Sequence, residues 1–156
     1  MNRGSEVRQA LMTSAIRVVA AQGIQNATTK AVATEAGFSE VYIYRFFESK
    51  DDLFSRTFDA LDKELMILML NSFKKAMSDE TKASAKAKFK AIFHDFWVFT
   101  LGDKNKCYFF IQYYYSYFYS NHSEEARKAI YQPLLDLITP VFSTDADPWV
   151  ELNHMY

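Results

Sequence analysis

One continuous stretch decides the fold, and it runs from residue 28 to residue 53: TTKAVATEAGFSEVYIYRFFESKDDL. Thr28 and Thr29 offer hydroxyl caps for a short helix that stops at Gly37. Ser39 offers a second cap, and the pattern over residues 40–47 predicts another two-turn helix. The stretch therefore predicts a helix-turn-helix, in which a glycine turn joins two short helices.

The second of these helices has an outward face that packing does not use. A helix-turn-helix braces its second helix so that side chains near the N-terminus of that helix enter a major groove about 12 Å wide. The inward face that fixes the angle between the helices consists of Val32, Phe38, Ile43 and Phe47. The outward face is left with Ser39, Glu40, Val41, Tyr42 and Arg45.

Helical periodicity extends over the rest of the 156 residues. Upstream, apolar residues at three-four spacing predict a first helix that Gly23 closes. The cap hydroxyl of Ser49 and two acids begin a long fourth helix, which carries apolar residues from Leu53 to about Met77. Further helices are expected at about 81–101, 105–119 and 123–138, and another apolar segment begins at Trp149. We expect essentially no sheet.

Charge and composition exclude several classes of protein. The formal net charge of −1 argues against a protein that coats nucleic acid indiscriminately, because such binding requires a large basic excess. Cys107 is the single cysteine, so no intrachain disulfide can form. The chain shows no basic-then-apolar leader and no apolar run near about 18 residues. We therefore expect a soluble cytoplasmic protein with no membrane partner.

The stretch 28–53 resembles the N-terminal signature of the TetR family of transcriptional regulators. The resemblance rests on the small residues before Gly37, the Ile43-Tyr44 step, Phe47 and the start of the next helix at Ser49-Lys50-Asp51-Asp52-Leu53. The first helix also stands at the right distance upstream. The resemblance implies a small-molecule-responsive DNA-binding regulator, for which a repressor is the usual form.

The resemblance also implies a role for each position of the helix-turn-helix. It implies that Glu40, Val41 and Tyr42 occupy positions that contact base edges. It also implies that the phosphate-binding positions are those of Thr29, Lys30, Tyr44 and Lys50. Chemistry refines these roles: Glu40 can accept from cytosine N4, Val41 can contact a thymine methyl, and Arg45 can reach guanine or phosphate. The candidate DNA-binding residues are Thr29, Lys30, Ser39, Glu40, Val41, Tyr42, Tyr44, Arg45 and Lys50.

Aromatic residues crowd the chain from Phe89 to Tyr119. A helix that is apolar on every side is normally buried, but buried tyrosine hydroxyls need hydrogen-bond partners. Both requirements are met if one face of the helix lines a cavity and another face contacts a partner subunit. In the TetR family this region builds the inducer pocket. We expect an apolar or aromatic ligand, or a lipophilic cation, at Phe96, Phe110, Tyr113, Tyr114 and Tyr117. The alternative is that these rings are simply core.

Catalytic and metal sites are not expected. Two groups could be considered as metal ligands, His94-Asp95 and His122 with Glu124 and Glu125, but they lie far apart in sequence and neither has a tight ligand spacing. The apolar surroundings of Cys107 should raise the pKa of its thiol and make it unreactive. We therefore predict neither an enzyme nor a cofactor.

The predicted fold class is all-α, with a three-helix helix-turn-helix DNA-binding domain over residues 1–52 and a helical ligand-binding and dimerisation domain over residues 53–156. This second domain is expected to be truncated at its C-terminus, because the segment from Trp149 to Tyr156 has no cap and no polar ending. A homodimer would read a palindromic double-stranded DNA operator, and a small-molecule inducer would shift the fourth helix and release the DNA. The alternative is a helical module that binds a ligand or partner but no specific DNA sequence, which the acids near the motif and Val41 favour.

Overall fold

The computed structural model describes residues 3–78, 85–121 and 124–139, and every regular element in these ranges is helical. The elements are α1 (Arg3–Gln22), α2 (Thr29–Glu35), α3 (Val41–Phe46), α4 (Lys50–Ser78), α5 (Ala85–Gly102), α6 (Lys104–Tyr114), a 3₁₀ turn (Tyr117–Asn121) and α7 (Glu124–Ile138). The predicted all-α fold class is confirmed. The expected apolar segment from Trp149 and the first residues of the predicted fifth helix lie outside the described residues.

The chain packs into two compact units, which are described separately below. Unit 1 comprises residues 1–62 and 99–122, and unit 2 comprises residues 63–98 and 123–156. Unit 1 thus contains the helix-turn-helix together with α6 and the 3₁₀ turn. The domain boundary predicted at residue 52 refers to function, whereas the two units reflect packing. This boundary therefore stays a prediction.

The turn between α2 and α3 follows from local sequence. The Thr28 hydroxyl caps α2 by accepting a hydrogen bond from the amide of Ala31, at 3.1 Å. At the other end, the Phe38 amide donates to the Ala33 carbonyl at 2.8 Å and the Gly37 amide to the Thr34 carbonyl at 3.0 Å, which is a Schellman motif. This motif requires a left-handed residue, and Gly37 has a φ of 76°. The sequence prediction of this turn is confirmed.

We expect Gly37→Ala to lower the free energy of unfolding by about 1–2 kcal/mol, because an L-residue is strained in the left-handed region. An added Cβ at residue 37 would meet no atom within 4 Å, so backbone strain is the whole effect. Urea denaturation measures the loss. The matched control is Gly102→Ala, which has equal space and no positive φ and should not destabilise the protein. Equal stability losses in both variants would contradict the expectation.

The two predicted serine caps have different outcomes. The Ser49 hydroxyl accepts from the Asp52 amide at 3.0 Å, and the Asp52 carboxylate accepts from the Glu48 amide at 3.0 Å, so the cap of α4 is confirmed. The expected Ser39 hydroxyl cap is wrong. Glu40 is the N-cap of α3 and already has helical dihedrals, so the Ser39 carbonyl rather than its hydroxyl accepts from the Tyr42 amide, at 3.0 Å.

The core of unit 1 joins the helix-turn-helix to the aromatic α6. Phe58 of α4 is fully buried, with its ring centroid 4.7 Å from that of Phe110 and 4.6 Å from that of Tyr113. Phe54 meets Phe109 and Phe118 edge to face, at 6.0 and 5.6 Å. The rest of this core includes Leu11, Ala15, Val19, Val32, Ile43, Phe47 and Leu53.

The predicted single helix over residues 105–119 is wrong, because α6 ends at Tyr114. The Ser116 hydroxyl donates to the Tyr113 carbonyl at 2.7 Å and accepts from the Phe118 amide at 3.2 Å. A serine that bonds to nearby backbone in this way offers the chain an alternative to the helix. The resulting turn directs Phe118 into the core against Phe54.

Unit 2 contains its own buried side chains. Its apolar members from α4 and α7 are Leu65, Met66, Met69, Phe73, Tyr131, Leu134 and Leu135. The Ser72 hydroxyl donates to the Asp95 carboxylate at 2.9 Å. Arg127 is fully buried, and its guanidinium lies 5.6 Å from the centroid of the Tyr131 ring.

Candidate nucleic-acid interface

Helix α3 separates an inward side chain from outward ones within two turns. Ile43 is fully buried, whereas Val41 is 65% exposed and Tyr44 is 59% exposed. Exposed apolar side chains are common on protein surfaces, but these two lie on the outward side of the second helix of a helix-turn-helix, the side that enters a groove of DNA. The exposed side of α3 therefore offers one apolar group and one phenol to a partner.

Tyr42 and Arg45 form a small stack on the same helix. The Tyr42 ring packs on the Phe38 ring at 5.1 Å, and the Arg45 guanidinium lies 5.3 Å from the Tyr42 ring centroid. Arg45 is itself exposed. The stack restricts the Arg45 side chain while leaving its donors available.

The five predicted DNA-binding residues outside α3 have distinct surroundings. Lys30 is exposed on α2, and Lys50 stands at the first position of α4 with its Nζ 5.4 Å from the ring centroids of both Phe54 and Phe118. The Thr29 hydroxyl donates to the Glu40 carboxylate. Ser39, the remaining candidate, is exposed in the turn. Thr29 and Glu40 are thus in contact with each other, which the sequence analysis did not anticipate.

Two side chains from later in the chain contact residues 1–52 directly, and the sequence pattern predicts neither contact. Gln112 of α6 accepts a hydrogen bond from the backbone amide of Ile24, at 2.8 Å, in the turn between α1 and α2. Phe118 lies beside Lys50, as described above. The signal for Gln112 was present, because it is a lone amide within an aromatic run.

The five predicted ligand-binding residues are divided between the units. Phe110, Tyr113, Tyr114 and Tyr117 belong to unit 1, and Phe96 belongs to unit 2. Tyr113 is fully buried, and this burial raises the pKa of its phenol to about 12. Phe110 and Tyr114 are half-buried, and Tyr117 is 63% exposed. As ligand contacts, all five stay predictions.

Within the part of the chain that the structure describes, no three His, Cys, Asp or Glu side chains are grouped as metal ligands would be. Nor is any helix among those residues both long and apolar enough to cross a membrane.

Known structures are similar to this chain over most of its length. A TetR family transcription regulator from Marinobacter aquaeolei VT8 matches with a TM-score of 0.74 and 18% identity, over 88% of this chain and 69% of that one. The multidrug binding protein EbrR, solved in complex with imidazole, matches with a TM-score of 0.58 and 18% identity, over 99% of this chain and 78% of its own. At these identities the similarity concerns the fold.

The sequence comparisons concern the N-terminal part. No curated protein is significantly similar in sequence to the chain. Residues 11–57 match the family described as bacterial regulatory proteins, tetR family, and this range contains α2, α3 and the start of α4. Over residues 11–57, which contain the helix-turn-helix, the chain is therefore similar to the TetR family of bacterial regulatory proteins.

Proposed function

We propose that the chain is a ligand-responsive transcriptional repressor that reads a palindromic DNA operator as a homodimer. The observation that carries the proposal is the exposed side of α3, where Val41 and Tyr44 are accessible although Ile43 is fully buried. A recognition helix needs this arrangement, because its outward side chains must enter the major groove. The two copies of α3 in a dimer would read half-sites about 34–36 Å apart, or a multiple of that distance.

Each candidate DNA-binding residue has a part in this proposal. Glu40, Val41 and Tyr42 read base edges, with Arg45 directed by its stack on Tyr42. Phosphates are bound by Lys30, Tyr44 and Lys50, and the amides at the start of α4 add an electropositive helix terminus. Thr29 and Ser39 complete the edge of the interface.

The inducer is proposed to be a small apolar or aromatic molecule. The fold shared with the multidrug binding protein EbrR supports ligand binding. In unit 1 it would contact Phe110, Tyr114 and Tyr117, with Tyr113 packed behind them, and Phe96 is the corresponding candidate in unit 2. Aromatic faces at these positions also suit a lipophilic cation. The protein acts in the cytoplasm and catalyses no reaction.

Ligand binding would reach the DNA-binding side chains through unit 1. A shift of α4 moves Lys50, which stands at its first turn. A second route is provided by the contacts of α6 and the 3₁₀ turn with residues 1–52, through Gln112 to Ile24 and Phe118 to Lys50. A coupling free energy of about 1–3 kcal/mol would release DNA by a factor of roughly 5 to 150.

Selection of bound sequences from a random duplex pool, followed by a salt titration of the selected duplex, tests the proposal. We expect a palindrome and a steep salt dependence. Lys50→Met keeps the aliphatic stem on Phe54 and Phe118 but removes the charge, so the log-log salt slope should fall by about one unit per protomer. Absence of enrichment even at low salt would reject sequence-specific DNA binding and favour a ligand-binding or partner-binding module.

A further inference from the structure

Two side chains of the helix-turn-helix hydrogen bond to each other across the turn. Thr29 is the first residue of α2, Glu40 is the N-cap of α3, and the Thr29 Oγ1 hydroxyl donates to Glu40 Oε1. Both side chains are partly buried. This contact joins two residues that the sequence analysis assigned separately, one to a phosphate and the other to a base.

The hydrogen bond restricts what Thr29 can do. A threonine hydroxyl has one hydrogen to donate, so a Thr29 hydroxyl that donates to Glu40 has none left for a phosphate oxygen. The same bond limits the rotamers of Glu40, a side chain that otherwise loses much conformational freedom when it becomes ordered. The contact therefore orders the glutamate before any DNA is bound.

Resting on the proposed function, we propose that Thr29 is a positioning residue that holds Glu40 to read a cytosine. Across the described ranges 3–78, 85–121 and 124–139, the Glu40 side chain forms no ion pair and no second hydrogen bond. Its remaining carboxylate oxygen is thus available as an acceptor. Because the Glu40 side chain is already ordered, less conformational entropy is lost when this oxygen accepts a hydrogen bond from DNA.

The chemistry of the groove selects the base. Cytosine presents the N4 amino donor, whereas guanine presents the acceptors N7 and O6, and thymine presents the acceptor O4 and a methyl group. A carboxylate accepts hydrogen bonds, so it is repelled by the acceptor atoms of a base and attracted by a donor. Adenine offers a donor next to an acceptor and is intermediate. Glu40 therefore favours a cytosine at one position of each half-site.

The test measures base preference rather than affinity alone. The duplex selected with the unmodified chain is varied one base at a time, and cytosine should be preferred at one position by roughly 5- to 150-fold. Glu40→Gln should move the preference at that position to adenine, which a glutamine amide contacts in a bidentate way. Thr29→Val, which removes the hydroxyl with little change of shape, should reduce the cytosine preference several-fold at that position alone, and Thr29→Ser should restore it.

The outcomes separate this inference from the proposed function. If Thr29→Val weakens binding to every duplex equally, Thr29 binds a phosphate and the inference is overturned. An unchanged base preference in Glu40→Gln overturns it independently, so the test survives a Thr29→Val variant that does not fold. Failure of the unmodified chain to select any duplex would instead reject the proposed function.

Discussion

Replacing Phe58 by alanine is expected to lower the free energy of unfolding by about 3–5 kcal/mol, the range typical of a buried phenylalanine. Phe58 is fully buried, and its ring stacks on those of Phe110 and Tyr113 and meets the edge of Tyr119 at 5.7 Å. Truncation would remove these contacts and leave a cavity that the surrounding rings can fill only in part. The loss is large enough to unfold a marginally stable domain.

Urea denaturation of Phe58→Ala beside Phe93→Ala measures this expectation. Phe93 is the matched control, because it is a phenylalanine with 51% of its surface exposed. Its truncation should cost less than about 1 kcal/mol. Similar losses in the two variants would show that Phe58 does not hold α4 against α6.

The double variant Tyr42→Ala/Tyr44→Ala should lose on the order of 100-fold or more in affinity for the selected operator, and selection with it should yield no palindrome. Tyr44 is exposed, so its truncation should remove the proposed phosphate contact with little effect on the fold. Loss of the Tyr42 ring also removes the surface on which Arg45 is stacked. In the proposed homodimer, two such protomers would multiply the effect.

Fluorescence anisotropy with the selected duplex measures the affinity. Tyr115→Ala is the matched control, since Tyr115 is a 73% exposed tyrosine at the C-terminal end of α6 and outside the interface. This control should bind as the unmodified chain does. Tyr44→Phe, in addition, separates the phenolic hydroxyl from the ring. If the double variant still selected the palindrome, α3 would not be the helix that reads the bases.

Local sequence predicted much of the fold because local interactions determine it. Thr28, Gly37 and Ser49 act within three residues of their own position, and each has the expected role at a helix end. The all-α class and the division of α3 into an inward Ile43 and an outward Val41 likewise follow from helical periodicity.

Contacts between residues that are far apart along the chain could not be predicted from local sequence. The aromatic run was expected to belong to a separate ligand-binding region, yet Phe109 and Tyr113 are core residues of the unit that contains the helix-turn-helix. The apolar character of a ring predicts that it is buried, but it does not predict which residue the ring packs against. The same limit applies to the Thr29 to Glu40 hydrogen bond, because both residues have plausible partners in DNA.

The packing of α6 into unit 1 bears on how regulators of this type can be recombined. A hybrid joined at residue 52 would separate Lys50 from Phe118 and Ile24 from Gln112. It would also leave the surface of α1 that packs on α6 facing a foreign sequence. Grafting residues 99–121 together with the helix-turn-helix would preserve both contacts. The transplantable module of this protein is therefore discontinuous along the chain.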